Sequence, residues 1–410
     1  MKAVPAPLRH RDFRRLWLAG LISDSGDWLL LVSLPILVFQ LTGSTLQTSL
    51  AFLVELAPAV VLGPVAGYLA DRLDRRRLLV GITVAQAVAL LPLLAVNDRS
   101  DLPVLYAVIA FEAAMLTLFG PAKNALLPTL VPADQLVPAN SLVGLNQNLG
   151  RLVGGPLGGL LLAVSGLPVI VLVDLVTFVV AAVLIAGVAA GPAATTRQAP
   201  RGAEGALGTY RIRVSMAIAV LAGIAQGVFT VLFVVWVARQ LGGGAAETGL
   251  LRGVQAAGAI AAGLLLATLR RTPGPATLIA AGAGGFGVLL VVLWNGPAAT
   301  TALPVYVALF VLVGAPGLVM VTGLVSLLQQ EAGDALRGRV FGVFGAVYDG
   351  SSGAGMLVAG LLGDRLGVMP LLNLQAMLYL AAGATAFLLL RTRHREVRSA
   401  VAEDGRVPGL

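Results

Sequence analysis

Stretches of twenty or so residues that are nearly all apolar recur from one end of this chain to the other, each long enough to cross the hydrocarbon of a bilayer as one helix. Read with a window of that length, the sequence predicts twelve spans, at 15–41, 46–70, 77–96, 102–121, 139–164, 167–190, 214–238, 248–269, 276–294, 302–328, 340–362 and 370–390. Composition leaves no other solvent for such a chain: 58% of residues are hydrophobic and 12% charged, against about a quarter charged in soluble domains. There is no Cys, and the two His, His10 and His394, lie in charged tails. Disulfides and thiolate metal sites are thereby excluded, and neither a metal nor a cofactor is expected.

The positions of the basic residues predict orientation. With both termini in the cytoplasm, the cytoplasmic segments hold 23 Lys and Arg, including Lys123 after span 4, and the external loops hold three, Arg99, Arg239 and Arg365. Such a bias is the positive-inside pattern, so the high pI reflects topology and nucleic acid is not an expected partner. The apolar run after Arg15 is too long for a cleaved signal peptide and lacks a small-residue cleavage site, so it reads as the first retained span.

The segment "GPAATTRQAPRGAEGALGTYRIR", 191–213, reads as a cytoplasmic linker. It separates an N-terminal half, 1–190, from a C-terminal half, 214–395, followed by a flexible tail, 396–410. The halves echo each other at an offset of 200 positions, which relates Asp134 to Asp334, Gly150 to Gly350 and Gly155 to Gly355. Two six-helix halves of like topology are one of the known transporter arrangements.

Between spans 2 and 3 stands Gly67-x-x-x-Asp71-Arg72-x-x-Arg75-Arg76. This motif resembles the signature loop of the major facilitator superfamily. "SGDWLLLVSLPILVFQLTGS" (Ser25–Ser44), "ALLPTLVPADQLVPANSL" (Ala125–Leu142), "VDLVTF" (Val173–Phe178) and "LRGRVFG" (Leu336–Gly342) resemble its bacterial multidrug, macrolide and siderophore exporter branch. The resemblance implies an all-α polytopic membrane protein with twelve transmembrane helices in two six-helix halves, in the bacterial cell membrane, and monomeric. It also implies that Gly67, Asp71, Arg72, Arg75 and Arg76 form a cytoplasmic gate, with Asp71 facing the start of helix 11 near Arg339. Gly155-Pro156-Leu157-Gly158-Gly159 resembles the helix 5 packing pattern of exporters, one residue shorter than the family's own.

No Walker loop accompanies the only lysines, Lys2 and Lys123. "GAGGFG" (Gly282–Gly287) lies inside an apolar span and reads as helix packing. No catalytic triad is present, so the chain reads as a secondary transporter driven by an ion gradient and not as an enzyme.

The functional residues are expected among ionisable groups inside the spans: Asp24, Asp27, Glu55, Glu112, Arg151, Asp174, Arg252 and Asp349. At about 1.5 Å of rise per residue, Asp27, Arg151, Glu55 and Glu112 converge near the membrane midplane. Six carboxylates face two guanidiniums, and a carboxylate with no cation in a medium of low dielectric takes up a proton sooner than stay charged. Asp24 and Asp27 share one helical face, and the resemblance to "GDWL" falls on Asp27. Asp27 is therefore expected to carry the coupled proton with Arg151 as its partner, Glu55, Glu112, Asp24 and Asp349 lining the same central cavity, and Arg252 snorkelling outward.

Few fixed polar groups surround these acids. The function expected is proton-coupled export, by antiport, of hydrophobic or amphipathic small molecules such as antibiotics or secondary metabolites. A proton-linked uptake symporter for a small metabolite is the alternative within transport, and a non-transporting receptor or scaffold the alternative of another class. The partners expected are the small-molecule substrate, protons and the lipid bilayer.

Overall fold

The computed structural model describes residues 5–189, 209–269, 273–332 and 336–391, without the side chains at 63–72, 133, 137, 337 and 391. Those residues form twelve long helices, and no strand occurs among them. They are α1 (Arg11–Thr42), α2 (Thr45–Arg72), α3 (Arg75–Ala89), α4 (Leu102–Leu126), α5 (Leu136–Ser165), α6 (Leu167–Ala186), α7 (Tyr210–Gln240), α8 (Ala245–Thr268), α9 (Pro275–Asn295), α10 (Leu303–Glu331), α11 (Arg337–Leu366) and α12 (Val368–Thr385). Each matches an expected span to within about a turn, with a short 3-10 segment extending α3 to Ala95 and a π turn continuing α12. A helix satisfies its own backbone hydrogen bonds, which is the condition for crossing lipid. Of the expected linker only 209–213 is described, and the tail 396–410 lies outside the described residues.

Among the described residues, ten helices are long and apolar enough to cross a membrane, and α5 and α11 are not among them. The reason is local: α5 carries Asn140, Asn146, Gln147, Asn148, Arg151 and many glycines, and α11 carries Arg339, Asp349 and a Gly/Ser run. These two helices also hold the repeat pairs Gly150/Gly350 and Gly155/Gly355.

Element ends follow from residue chemistry. Gly43 closes α1 in a left-handed conformation at φ 64°, where other residues are strained, and its N–H donates to the Phe39 carbonyl at 2.7 Å. Asp74 begins α3 as its N-cap, its carboxylate accepting from the Arg77 N–H at 2.7 Å. Pro35, Pro121, Pro156 and Pro316 sit inside helices. At Pro121 the expected fourth span ended, yet α4 runs through it to Leu126. Lys123, expected just beyond the fourth span, is consequently a helical residue in the last turns of α4.

The chain divides into two compact units, one of Met1–Gln198 with Phe233–Ala256, the other of Ala199–Leu232 with Ala257–Leu410. In the first unit α1 packs on α5 and α6, α2 on α4, and α3 on α4 and α6. Lipid is as apolar as leucine, so helices in it hold together by close fit instead of by escape from water. The α1–α5 contact is the closest of these fits. A methyl added at Gly150, Gly154 or Gly158 would strike the backbone carbonyl oxygens of Asp24, Ser25 and Leu29 respectively. On another face of α5, Gly155 and Gly159 lie against Gly249 of α8, and Gly159 also meets Ala245.

In the second unit α9 packs on α10 and α12. The same glycine device joins α7 to α11, with Gly227 on the Ser352 carbonyl and Gly355 on that of Ile224. The interior is aromatic: Trp294, Tyr306, Phe310 and Tyr379 are buried, Trp294 Nε1 donates to Gln375 Oε1 at 2.9 Å, and Phe286 meets Tyr379 edge to face at 4.5 Å.

Candidate functional site

Four helices of the first unit bring polar groups to one cavity of about 160 Å³. α1 supplies Asp27, α2 Glu55, α3 Gln86, and α4 Glu112 and Thr117. The remaining wall is apolar, with Leu30, Leu34 and Pro35 from α1, Ala59 from α2, and Ile109 and Leu116 from α4. Three carboxyl groups in so small and greasy a space repel one another when ionised. Gln86, 4% exposed, donates from Nε2 to Glu112 Oε2 at 2.9 Å, while Glu112 Oε1 is buried without a hydrogen-bond partner.

Behind this wall lie two further acids. Asp174 of α6 is fully buried; Thr177 donates to its Oδ1 at 2.8 Å, and its Oδ2 has no partner. It presses on α1 at Gly26, where any side chain would collide with Asp174 Oδ1 and Thr177 Oγ1. Asp27 is within electrostatic reach of Asp24, Glu112 and Asp174, and of one cation, Lys123. Lys123 Nζ lies 5.6 Å from the centre of the Phe119 ring.

The structure brings together Asp27, Glu55 and Glu112 as the sequence predicts, and places Asp24 a turn away on the same helix. It does not join Asp27 to Arg151. Ion pairs do form elsewhere among the described residues, as between Arg15 and Asp12 at 3.4 Å and between Arg211 and Glu331 at 2.5 Å. Arg151 instead donates from Nη2 to Gln255 Oε1 at 2.7 Å and stacks over Trp28 at 5.9 Å, and its Nε has no partner. The expected pair is corrected to this amide contact: heights along helices are readable from sequence, whereas the direction in which α5 turns Arg151 is not. Arg252, expected to snorkel, lies over the Phe233 ring at 5.9 Å and within electrostatic reach of Glu55 and Arg151. Asp349 belongs to α11 in the second unit and is not on this cavity wall.

Of the cytoplasmic gate motif, the side chains of Gly67, Asp71 and Arg72 lie outside the described residues. Arg75 donates from Nη1 to the Ala125 carbonyl at 3.1 Å, a cation on the C-terminal turn of α4, where the helix dipole is negative. Arg76 is half-buried and Arg339 exposed. Gly155, Pro156 and Gly159 pack α5 on α8: Gly253 lies against the Pro156 ring, and Gly249 between Gly155 and Gly159.

Sequence reading missed Gln86, Gln255, Lys123 and the closeness of Asp174 to Asp27. Gln86 and Gln255 were visible as polar amides in mid-span, and a census of charges alone passes over them.

Helices long and apolar enough to cross a membrane, packed around a carboxyl-lined cavity, define a polytopic membrane protein. The sequence model of the Major Facilitator Superfamily matches residues 16–356, and the chain belongs to that family. The multidrug efflux pump Tap of Mycolicibacterium fortuitum is 26% identical over 93% of this chain and 96% of that protein. Macrolide efflux protein A of Streptococcus pyogenes is 30% identical over 42% of this chain, a stretch that spans 44% of that protein's length. An MFS-type transporter of Bacillus subtilis (strain 168), YfiS, is 33% identical over 40% of this chain and 39% of its own length. These last two matches span less than half of the relatives concerned. In fold, the chain resembles the crystal structure of a bacterial homologue of the iron transporter ferroportin in an inward-facing state, with a TM-score of 0.73, 20% identity, and 92% and 98% of the two chains covered. The protein is a multi-pass cell-membrane member of that family.

Proposed function

We propose that the protein is a proton-coupled exporter, an antiporter of hydrophobic or amphipathic small molecules such as antibiotics or secondary metabolites, with both termini in the cytoplasm. The observation that carries this reading is the apolar cavity with Asp27, Glu55 and Glu112 on its wall. An acid in low dielectric holds a proton until a charge or water reaches it, so acids lining a compound's binding space make that compound and protons compete. Asp27 is the principal proton carrier, because Asp24, Glu112 and Asp174 all act on it. Relatives named as macrolide and multidrug efflux proteins support the direction of transport.

Accumulation of a fluorescent lipophilic compound in everted vesicles tests the proposal. Wild type is expected to accumulate it only with an imposed pH gradient, and Asp27→Asn to abolish accumulation while an uncharged compound still binds. Accumulation unaffected by the gradient removes proton coupling, uptake in the opposite direction makes the protein a symporter, and no movement of any compound tested favours the receptor reading.

A further inference from the structure

Glu112 is held in an unusual way. One carboxyl oxygen takes the Gln86 amide at 2.9 Å, and the other is buried with nothing bonded to it. An ionised carboxylate has about four acceptor positions, and leaving one of its oxygens bare in a low-dielectric wall is costly. A neutral carboxylic acid does not carry that cost. The amide beside it serves both forms: as N–H it donates to a carboxylate, and turned over it offers its carbonyl to a carboxylic O–H. Leu or Met at position 86 has no group to serve either form, and the hydroxyl of Ser is too short to reach.

The surroundings favour the neutral form being visited. The groups facing Glu112 are Asp27 from α1, Glu55 from α2, Gln86 from α3 and Asp174 from α6, with Lys123 eleven residues along its own helix. Three of these are acids, and Gln86 is the group that bonds it directly.

We infer that Gln86 and Glu112 form a proton-holding pair in the cavity wall, Gln86 acting as a positioning residue whose amide supports both protonation states, so that Glu112 binds and releases a proton besides the one on Asp27. The proton passes from a hydronium ion in the cavity to Glu112 Oε2 and returns by the same route, leaving the amide unchanged apart from its orientation. The pair rests on the reading that the cavity exchanges protons, but its test needs neither a substrate nor transport.

Infrared difference spectra of the full-length reconstituted protein, recorded between acidic and alkaline pH, report each protonating carboxyl as a C=O stretching band. Wild type is expected to show a band component that is absent from Glu112→Gln. In Gln86→Met that component moves to higher wavenumber, because the acid loses its hydrogen-bond partner, while the other components stay in place. Gln86→His, which keeps a donor and an acceptor, returns it toward the wild-type position. A Glu112→Gln spectrum identical to wild type, or a component that Gln86→Met does not move, overturns the pair. Were Gln86→Met to fail to fold, Glu112→Gln and Gln86→His still decide the matter. Loss of gradient-driven export with this signature intact would count against the exporter reading and not against the pair.

Discussion

The two compact units solve the same packing problem and fill the result with different chemistry. In the first, α5 presents Gly150, Gly154 and Gly158 to the carbonyls of α1; in the second, Gly227 of α7 and Gly355 of α11 meet the opposing backbone in the same manner. Inside the first are Asp27, Glu55, Glu112 and Asp174 with Lys123, Arg151 and Arg252. The described interior of the second is dominated by Trp294, Tyr306, Phe310 and Tyr379, with Asp349 half-buried on α11. A glycine seam is a property of the scaffold, and a repeated scaffold leaves side chains free to diverge. Among the described residues, buried ionisable side chains are therefore gathered in the first unit and large aromatic rings line the interior of the second.

If the seams are equivalent, breaking either should be equally severe. Gly154→Val and Gly227→Val each drive a branched side chain into a backbone carbonyl, a clash at or beyond the roughly 1–3 kcal/mol of ordinary overpacking. Both are expected to leave little monodisperse protein after extraction, as read by size-exclusion chromatography. A normal yield from one alone would show that the units differ in architecture as well as chemistry.

The chemical contrast predicts an unequal result. Asp27→Asn is expected to lower gradient-driven accumulation in vesicles by about tenfold or more, a coupling loss above some 1.4 kcal/mol, and Asp349→Asn to leave it within about twofold. Equal losses would spread proton coupling over both units.

Smaller effects are expected at the charged anchors near helix ends. Arg75→Ala removes a charged donor from the Ala125 carbonyl of the first unit and should cost about 1–2 kcal/mol, seen as a lower apparent melting temperature. Arg211→Ala in the second unit breaks the Arg211–Glu331 pair, whose side chains are 30% and 18% exposed. Screening by solvent keeps that cost to about 1 kcal/mol or less. A larger drop for Arg211→Ala than for Arg75→Ala would reverse the order of the two anchors.

Most of the fold was legible in the sequence because crossing lipid imposes a length and a polarity that a window can count. Even α5 and α11, too polar to reach the hydropathy of the other helices, were found because runs such as Leu160–Val164 and Leu357–Leu362 remain apolar. What failed was local or azimuthal. The fourth span was ended at Pro121, although a proline in lipid is tolerated where neighbours take up the freed backbone groups, so Lys123 was left outside the helix that carries it. The acids of the cavity were found from their depth alone. Arg151 has the right depth too, yet it bonds Gln255, since nothing in one helix's periodicity states which way it is rotated against another. Gln86, uncharged, left no mark in a charge count.

Two helices packed through long side chains can slip past each other by trading rotamers. Along α1 and α5 there are none to trade at Gly150, Gly154 and Gly158, where backbone rests on backbone. Such a seam is expected to move as one stiff lever, and spin labels on the two helices should then hold a constant separation whether or not a substrate is added. On a lever of that kind Asp27 and Arg151 keep fixed backbone positions, so a meeting between them would be made by the rotation of two side chains and not by the travel of a helix.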